Sequence, residues 1–193
     1  MCPADRPRAR ILTSFAIIRV VELRQFFGRA IGASLRDLAL GDDPASAYLA
    51  DLLTRFARTE NLYPRALATP RLEIVVDMLL ETQAVWEDAA SFQPEREVVV
   101  RRHIGDFTLF MTGIFPERVE QTASTRYYID QGKRAYHFVS EHDRASSRTG
   151  GAGAPLYRRL ADRFERYVDV LAYARKVHFR DHPQHPFFGW SFG

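Results

Sequence analysis

Apolar residues recur along this chain with the spacing of one helix face. Leu23, Phe27, Ile31, Leu35 and Leu38 fall four, four, four and three residues apart, a single stripe of an amphipathic helix predicted over residues 13–40. Gly41 is the expected stop, because glycine adopts the left-handed geometry of a helix C′ position without a Cβ clash. Asp43-Pro44 reads as a capping acceptor followed by a proline at the first helical position, and Leu49, Leu52, Leu53 and Phe56 supply the buried stripe of that second helix. Residues 58–70, punctuated by Pro64 and Pro70, read as a connection. A third helix is predicted from Thr69-Pro70 to about Ser91, carrying Leu72, Val76, Leu79 and Trp86.

The segment from Pro94 to Phe115 admits two patterns. Val100, Ile104, Phe107, Met111 and Ile114 follow helical spacing, whereas Val98-Val99-Val100 and Gly105-Asp106 equally suit a β-hairpin. Glu95 and Glu97, placed in a first turn after Pro94, favour the helix. Pro116-Glu117 then breaks and restarts the chain. A helix over residues 125–141 carries Ile129, Gly132, Tyr136 and Val139 on one side. Gly132 weakens it by about 1 kcal/mol relative to alanine, which predicts a second backbone packed close against it. The last helix opens at Pro155 and runs to Val177, with Leu156, Leu160, Phe164, Val168 and Leu171 as its stripe.

The predicted fold is therefore all-α, a single-domain bundle of about six amphipathic helices over residues 13–179. Residues 1–12 are expected to form a disordered tail, the glycine-rich stretch 143–154 a flexible linker before the last helix, and 180–193 a C-terminal tail. At 193 residues with 46% hydrophobic content, the chain is long enough to bury a core without a disulfide or a metal. Its one cysteine, Cys2, excludes an internal disulfide and suits a reducing compartment. Arg6, Arg8 and Arg10 ahead of the apolar run Ile11 to Ile18 resemble a secretory signal. Thr13 and Ser14 dilute the run, Arg19 and Glu22 close it, and no small-residue cleavage site follows, so a cytoplasmic protein with no membrane partner is expected.

The net charge of +3 raises nucleic acid as a partner. Of the 27 basic residues only Lys133 and Lys176 are lysine, a skew that the codon usage of a GC-rich genome produces without any phosphate to bind. The arginines are interleaved with 24 acidic residues, which describes a mixed-sign helix surface rather than a phosphate-tracking patch.

Catalytic motifs are absent: there is no phosphate loop, no zinc-type cysteine pair, no nucleophile elbow and no H-E-x-x-H. The residues with chemistry to offer are few. His103 and Asp106 stand one helical turn apart and can act as base and orienter or as two metal ligands; the plain alternative pairs Asp106 with Arg102 and leaves His103 half-exposed. His137 and Glu141 share a helix face in the same way, but the Glu-x-x-His repeats of a di-metal bundle are missing. His178, His182 and His185 have metal-ligand spacing that Pro183 interrupts. No cofactor is expected.

The C-terminal PFFGWSFG places Phe187, Phe188, Trp190 and Phe192 within eight residues. Exposing four large aromatics to water is unfavourable by several kcal/mol at about 25 cal/mol per Å2, so this segment is expected to dock, either on its own bundle or on a protein partner or second subunit.

Residues 105–117 (Gly105-Asp106-x-x-Leu109-Phe110-x-x-Gly113-x-Phe115-Pro116-Glu117) and 127–136 (Tyr127-Tyr128-Ile129-x-x-Gly132-x-x-Ala135-Tyr136) together resemble a group of uncharacterised bacterial all-helical proteins that carry the same two patterns. The resemblance implies an all-helical fold and brings no activity with it. A ligand pocket lined by Phe110, Tyr128 and Tyr136 is a further possibility in this region. Three functions follow in order: a non-catalytic protein-interaction or self-association module, a small-molecule- or metal-binding enzyme using the His and carboxylate residues, and a weak arginine-mediated nucleic-acid binder.

Overall fold

The computed structural model describes residues 8–41, 43–57, 94–146 and 153–180, with α1 side chains described from Glu22 onward. Seven helices and no strand are found among them: α1 (Arg8–Asp37), α2 (Ser46–Phe56), α3 (Pro94–Ile114), α4 (Pro116–Thr122), α5 (Thr125–Ser146), α6 (Ala154–Asp162) and α7 (Phe164–Val177). The all-α bundle is as the periodicity predicts. The third helix predicted near 69–91 lies outside the described residues.

Helix α3 is the centre. Residues 103–110 are buried without interruption, so the helix is enclosed on all sides. It packs most extensively on α5, then on α7, with α2 and α4 completing its surroundings, while α1 lies over α2 and α7. The hairpin alternative for 94–115 thus gives way to 21 helical residues. Buried hydroxyls on this helix bond back to its own carbonyls, Thr108 Oγ1 to Ile104 O and Thr112 Oγ1 to Thr108 O, each at 2.7 Å. Phe115 leaves helical geometry (φ −129°, ψ 52°) because a residue ahead of proline is disfavoured in the α region, and Pro116 opens α4.

The helix ends differ from the predicted ones in instructive ways. α1 begins at Arg8, inside the stretch expected to be a disordered tail, and ends at Asp37. Its stop is Ala39, held at φ 56°, not Gly41. Leu40 N–H bonds Leu35 O at 2.8 Å and Ala39 N–H bonds Arg36 O at 3.0 Å, the paired bonds of a Schellman turn. Gly41 is also left-handed (φ 65°), but two residues beyond the closure. α5 runs to Ser146, so the start of the 143–154 stretch is helical, and Ala154 at its far end is buried in α6. The predicted last helix is two, parted at Arg163 (φ −116°, ψ 25°) without a proline or glycine to mark the break. Arg163 reaches instead towards Asp43, a partner far away in sequence.

Close helix contacts are made at glycines. A Cβ on Gly105 would lie 2.7 Å from the Tyr136 ring, one on Gly113 2.5 Å from Leu171 Cβ, and one on Gly132 2.5 Å from both the Phe164 ring and Thr108 Oγ1. At Gly132 the close neighbours are side chains, not the second backbone expected. These contacts explain the two sequence patterns physically: Gly105 with Tyr136 and Thr108 with Gly132 are where α3 and α5 interlock.

Candidate functional site

Asp106 sits midway along α3 and is 2% exposed. A carboxylate there requires donors, and α2 and α5 bring them. Tyr136 of α5 donates its hydroxyl to Asp106 Oδ1 at 2.8 Å, and Tyr48 of α2 donates to the same oxygen. Arg55 Nη1, two turns after Tyr48 on α2, lies 3.0 Å from Oδ2. The Arg55 guanidinium is also 5.7 Å from the Tyr48 ring centre, so cation and ring brace each other. Tyr157 of α6 closes the cluster, 5.9 Å from the Tyr48 ring and stacked 6.1 Å from Tyr136. The i,i+4 pairing of Asp106 with Arg102 is thus replaced by a pairing with Arg55, which no local spacing reveals.

Burial first, and the Asp106 charge second, push the Tyr48 and Tyr136 hydroxyls well above the ordinary tyrosine range. Both stay protonated donors at neutral pH, and neither offers a phenolate. With two hydroxyls and a guanidinium around it, the carboxylate is charge-compensated by its own chain.

A second buried carboxylate repeats the arrangement. Asp43 Oδ1 accepts the Ala45 N–H at 2.8 Å, the capping role its sequence position predicts. Its oxygens also accept the Tyr167 hydroxyl at 3.1 and 3.2 Å, and Arg163 and Arg159 approach Oδ2 at 3.6 and 3.9 Å. Tyr167 is raised by burial and by the Asp43 charge. Tyr48, Arg55, Tyr157 and Tyr167 are the residues that sequence reasoning missed. The three tyrosine–aspartate links, Tyr48–Asp106, Tyr136–Asp106 and Tyr167–Asp43, join segments distant in sequence, and only a tyrosine and an arginine two turns apart on α2 hint at one cluster.

The other predicted residues divide by environment. His103 is buried rather than half-exposed, its ring 6.0 Å from Phe56 and 6.2 Å from Phe107. His137 is on the outer side of α5, 3.5 Å from Asp162 of α6, and Glu141 is exposed between Arg144 and Arg158. His103 and Asp106 are core groups, whereas His137 and Glu141 belong to a solvated ion-pair network linking α5 to α6. Phe110 stacks on Phe56 at 4.8 Å, Tyr128 lies 6.5 Å from Phe107, and Tyr136 is taken up by Asp106. His178 ends α7. His182, His185, Phe187, Phe188, Trp190 and Phe192 lie outside the described residues. Among the described residues no group of three or more His, Cys, Asp or Glu is placed to hold a metal ion, and no helix is long and apolar enough to cross a membrane.

On the outside, α1 and the C-terminal end of α7 border a groove of about 690 Å3. Gly28, Gly32 and Ala33 line it together with Arg29, Arg36 and His178.

The molecule is thus an all-α bundle tied by two tyrosine–carboxylate–arginine clusters. No protein-family model matches the chain, and neither a curated protein nor a solved structure matches it.

Proposed function

We propose that the chain is a non-catalytic helical module that binds another protein, a second copy of itself included. One observation carries this reading: both clustered carboxylates of the core, Asp43 and Asp106, are occupied by tyrosine and arginine partners from the same chain. An acid or base for catalysis needs a substrate-facing lone pair or proton, and these are turned to joining helices instead. The residue pairs His103–Asp106 and His137–Glu141 face different surroundings, which speaks against a shared pocket. The family-like patterns at 105–117 and 127–136 suit membership of a bacterial helical family whose common residues serve packing. The arginines engaged with Asp43, Asp106, Asp51, Glu97, Glu117 and Glu141 leave a mixed-sign surface, which disfavours nucleic acid. The single cysteine suits a cytoplasmic setting.

The aromatic residues Phe187, Phe188, Trp190 and Phe192 supply the contact surface in this reading. The test compares the full chain with one lacking residues 186–193, by light scattering for oligomeric state and by pull-down for partners. A change in either is expected. A monomer whose state and partners are indifferent to the deletion overturns the reading.

A further inference from the structure

Glycines inside the helices of this protein fall into two groups. Gly105, Gly113 and Gly132 each make room for a side chain of the same chain. Gly28 and Gly32 of α1 do not: among the described residues no atom would lie within 4 Å of a Cβ on Gly28, and only the Arg36 Nη1 would meet one on Gly32, at 3.6 Å. An interior helical glycine costs about 1 kcal/mol relative to alanine. α1 carries two of them one turn apart, on a face where, among the described residues, only the Arg36 guanidinium comes near.

That face lines the groove between α1 and the end of α7. Its rim is basic. Arg29 and Arg36 stand seven residues apart, about 10.5 Å along the helix, and neither forms an ion pair among the described residues. His178 Nε2 is shielded from solvent and has no hydrogen-bond partner. Among the described residues no carboxylate lines the groove, while Val177 adds an exposed apolar side. The small residues Gly28, Gly32 and Ala33 admit a helix at close interaxial distance, and the two exposed arginines favour negative charge on it.

Resting on the protein-interaction reading above, we propose that this groove receives an acidic α-helix of a partner protein. The helix sets a small-residue seam on Gly28 and Gly32 and carboxylates seven residues apart against Arg29 and Arg36. A second copy of α1 is a poor occupant, because a two-fold contact brings Arg29 and Arg36 of one copy against the same cations of the other.

The test uses the full chain and two labelled synthetic helical peptides of about 20 residues with an alanine seam. They differ only in carrying glutamates or lysines at two positions seven residues apart. Fluorescence anisotropy is expected to show the glutamate peptide bound at least about tenfold more tightly, with affinity falling as salt rises. The double variant Arg29→Glu with Arg36→Glu reverses the preference. Gly32→Leu, which meets only the Arg36 guanidinium among the described residues and is not expected to lower the thermal unfolding midpoint, abolishes binding. Equal binding of the two peptides, binding of neither, or unchanged binding by Gly32→Leu overturns the proposal. A dimer that Gly32→Leu dissociates, with neither peptide bound, assigns the groove to a second copy and also overturns it. Loss of peptide binding with the effect of the 186–193 deletion intact removes this proposal alone, whereas an inert deletion removes the preceding reading.

Discussion

The Tyr136 hydroxyl on α5 donates to Asp106 Oδ1 on α3 at 2.8 Å, across the most extensive helix contact in the bundle. Tyr136→Phe keeps the ring against Gly105 and removes only the hydroxyl. Hydrogen bonds to charged groups contribute about 1.5–3 kcal/mol, and this loss is expected in the urea unfolding free energy. An unchanged midpoint would show that Tyr48 and Arg55 satisfy the carboxylate without help.

Glycine substitutions separate the two kinds of helix face. Gly132→Ala drives a methyl group into the Phe164 ring and into Thr108 Oγ1, whose hydroxyl is already held by Ile104 O. Overpacking of about 1–3 kcal/mol is expected to exceed the gain in helix propensity, so the variant melts lower. Gly28→Ala meets no described residue and is expected to melt higher, by up to about 1 kcal/mol of added stability. Equal responses at the two positions would remove the distinction.

Ala39 occupies a left-handed position that glycine takes at no steric cost. Ala39→Gly is expected to stabilise the protein by about 1 kcal/mol, read as a raised urea midpoint with an unchanged slope. A lowered midpoint would mean that unfolded-state entropy outweighs the relief of strain.

Alkaline pH acts through the buried tyrosines. Tyr48, Tyr136 and Tyr167 all have folded values raised above the ordinary tyrosine value, by burial first and by the neighbouring aspartate second. A raised folded value contributes stability that is complete below the unfolded value of about pH 10 and is lost as pH rises beyond it. Each tyrosine then costs about 1.4 kcal/mol per pH unit. Unfolding free energies measured across this range are expected to fall with a slope of at least about three protons, and Tyr136→Phe to reduce the slope by about one. A flat profile above pH 10 would contradict the placement of these hydroxyls.

Periodicity carried the helices because it reports burial directly. Leu49, Leu52, Leu53 and Phe56, or Val100, Ile104 and Phe107, are buried as their spacing predicts. The hairpin alternative for 94–115 rests on Val98-Val99-Val100 and Gly105-Asp106, but Gly105 serves the close approach of the Tyr136 ring inside a helix, not a turn. The stop at Ala39 was hidden because its left-handed geometry is imposed by the Leu35–Leu40 closure, while Gly41 nearby offered the ordinary signal. Asp106 was legible as a polar residue of interest and Asp43 as a cap. Their partners were not, since Tyr48, Arg55, Tyr136 and Tyr167 reach them across the tertiary fold. His103 and Asp106 shared a helix with no means, from spacing alone, of telling core from cleft.

In the reading proposed above, the Asp106 cluster joins helices rather than performing chemistry. The most direct test of this claim is the equilibrium unfolding free energy of Asp106→Asn, which keeps the shape and removes the charge that Tyr48, Tyr136 and Arg55 share. A loss of about 2–4 kcal/mol is predicted, as for a broken buried network with a partly exposed arginine. An Asp106→Asn protein as stable as the parent, or more so, would contradict the claim, since a carboxylate maintained against stability marks a functional site.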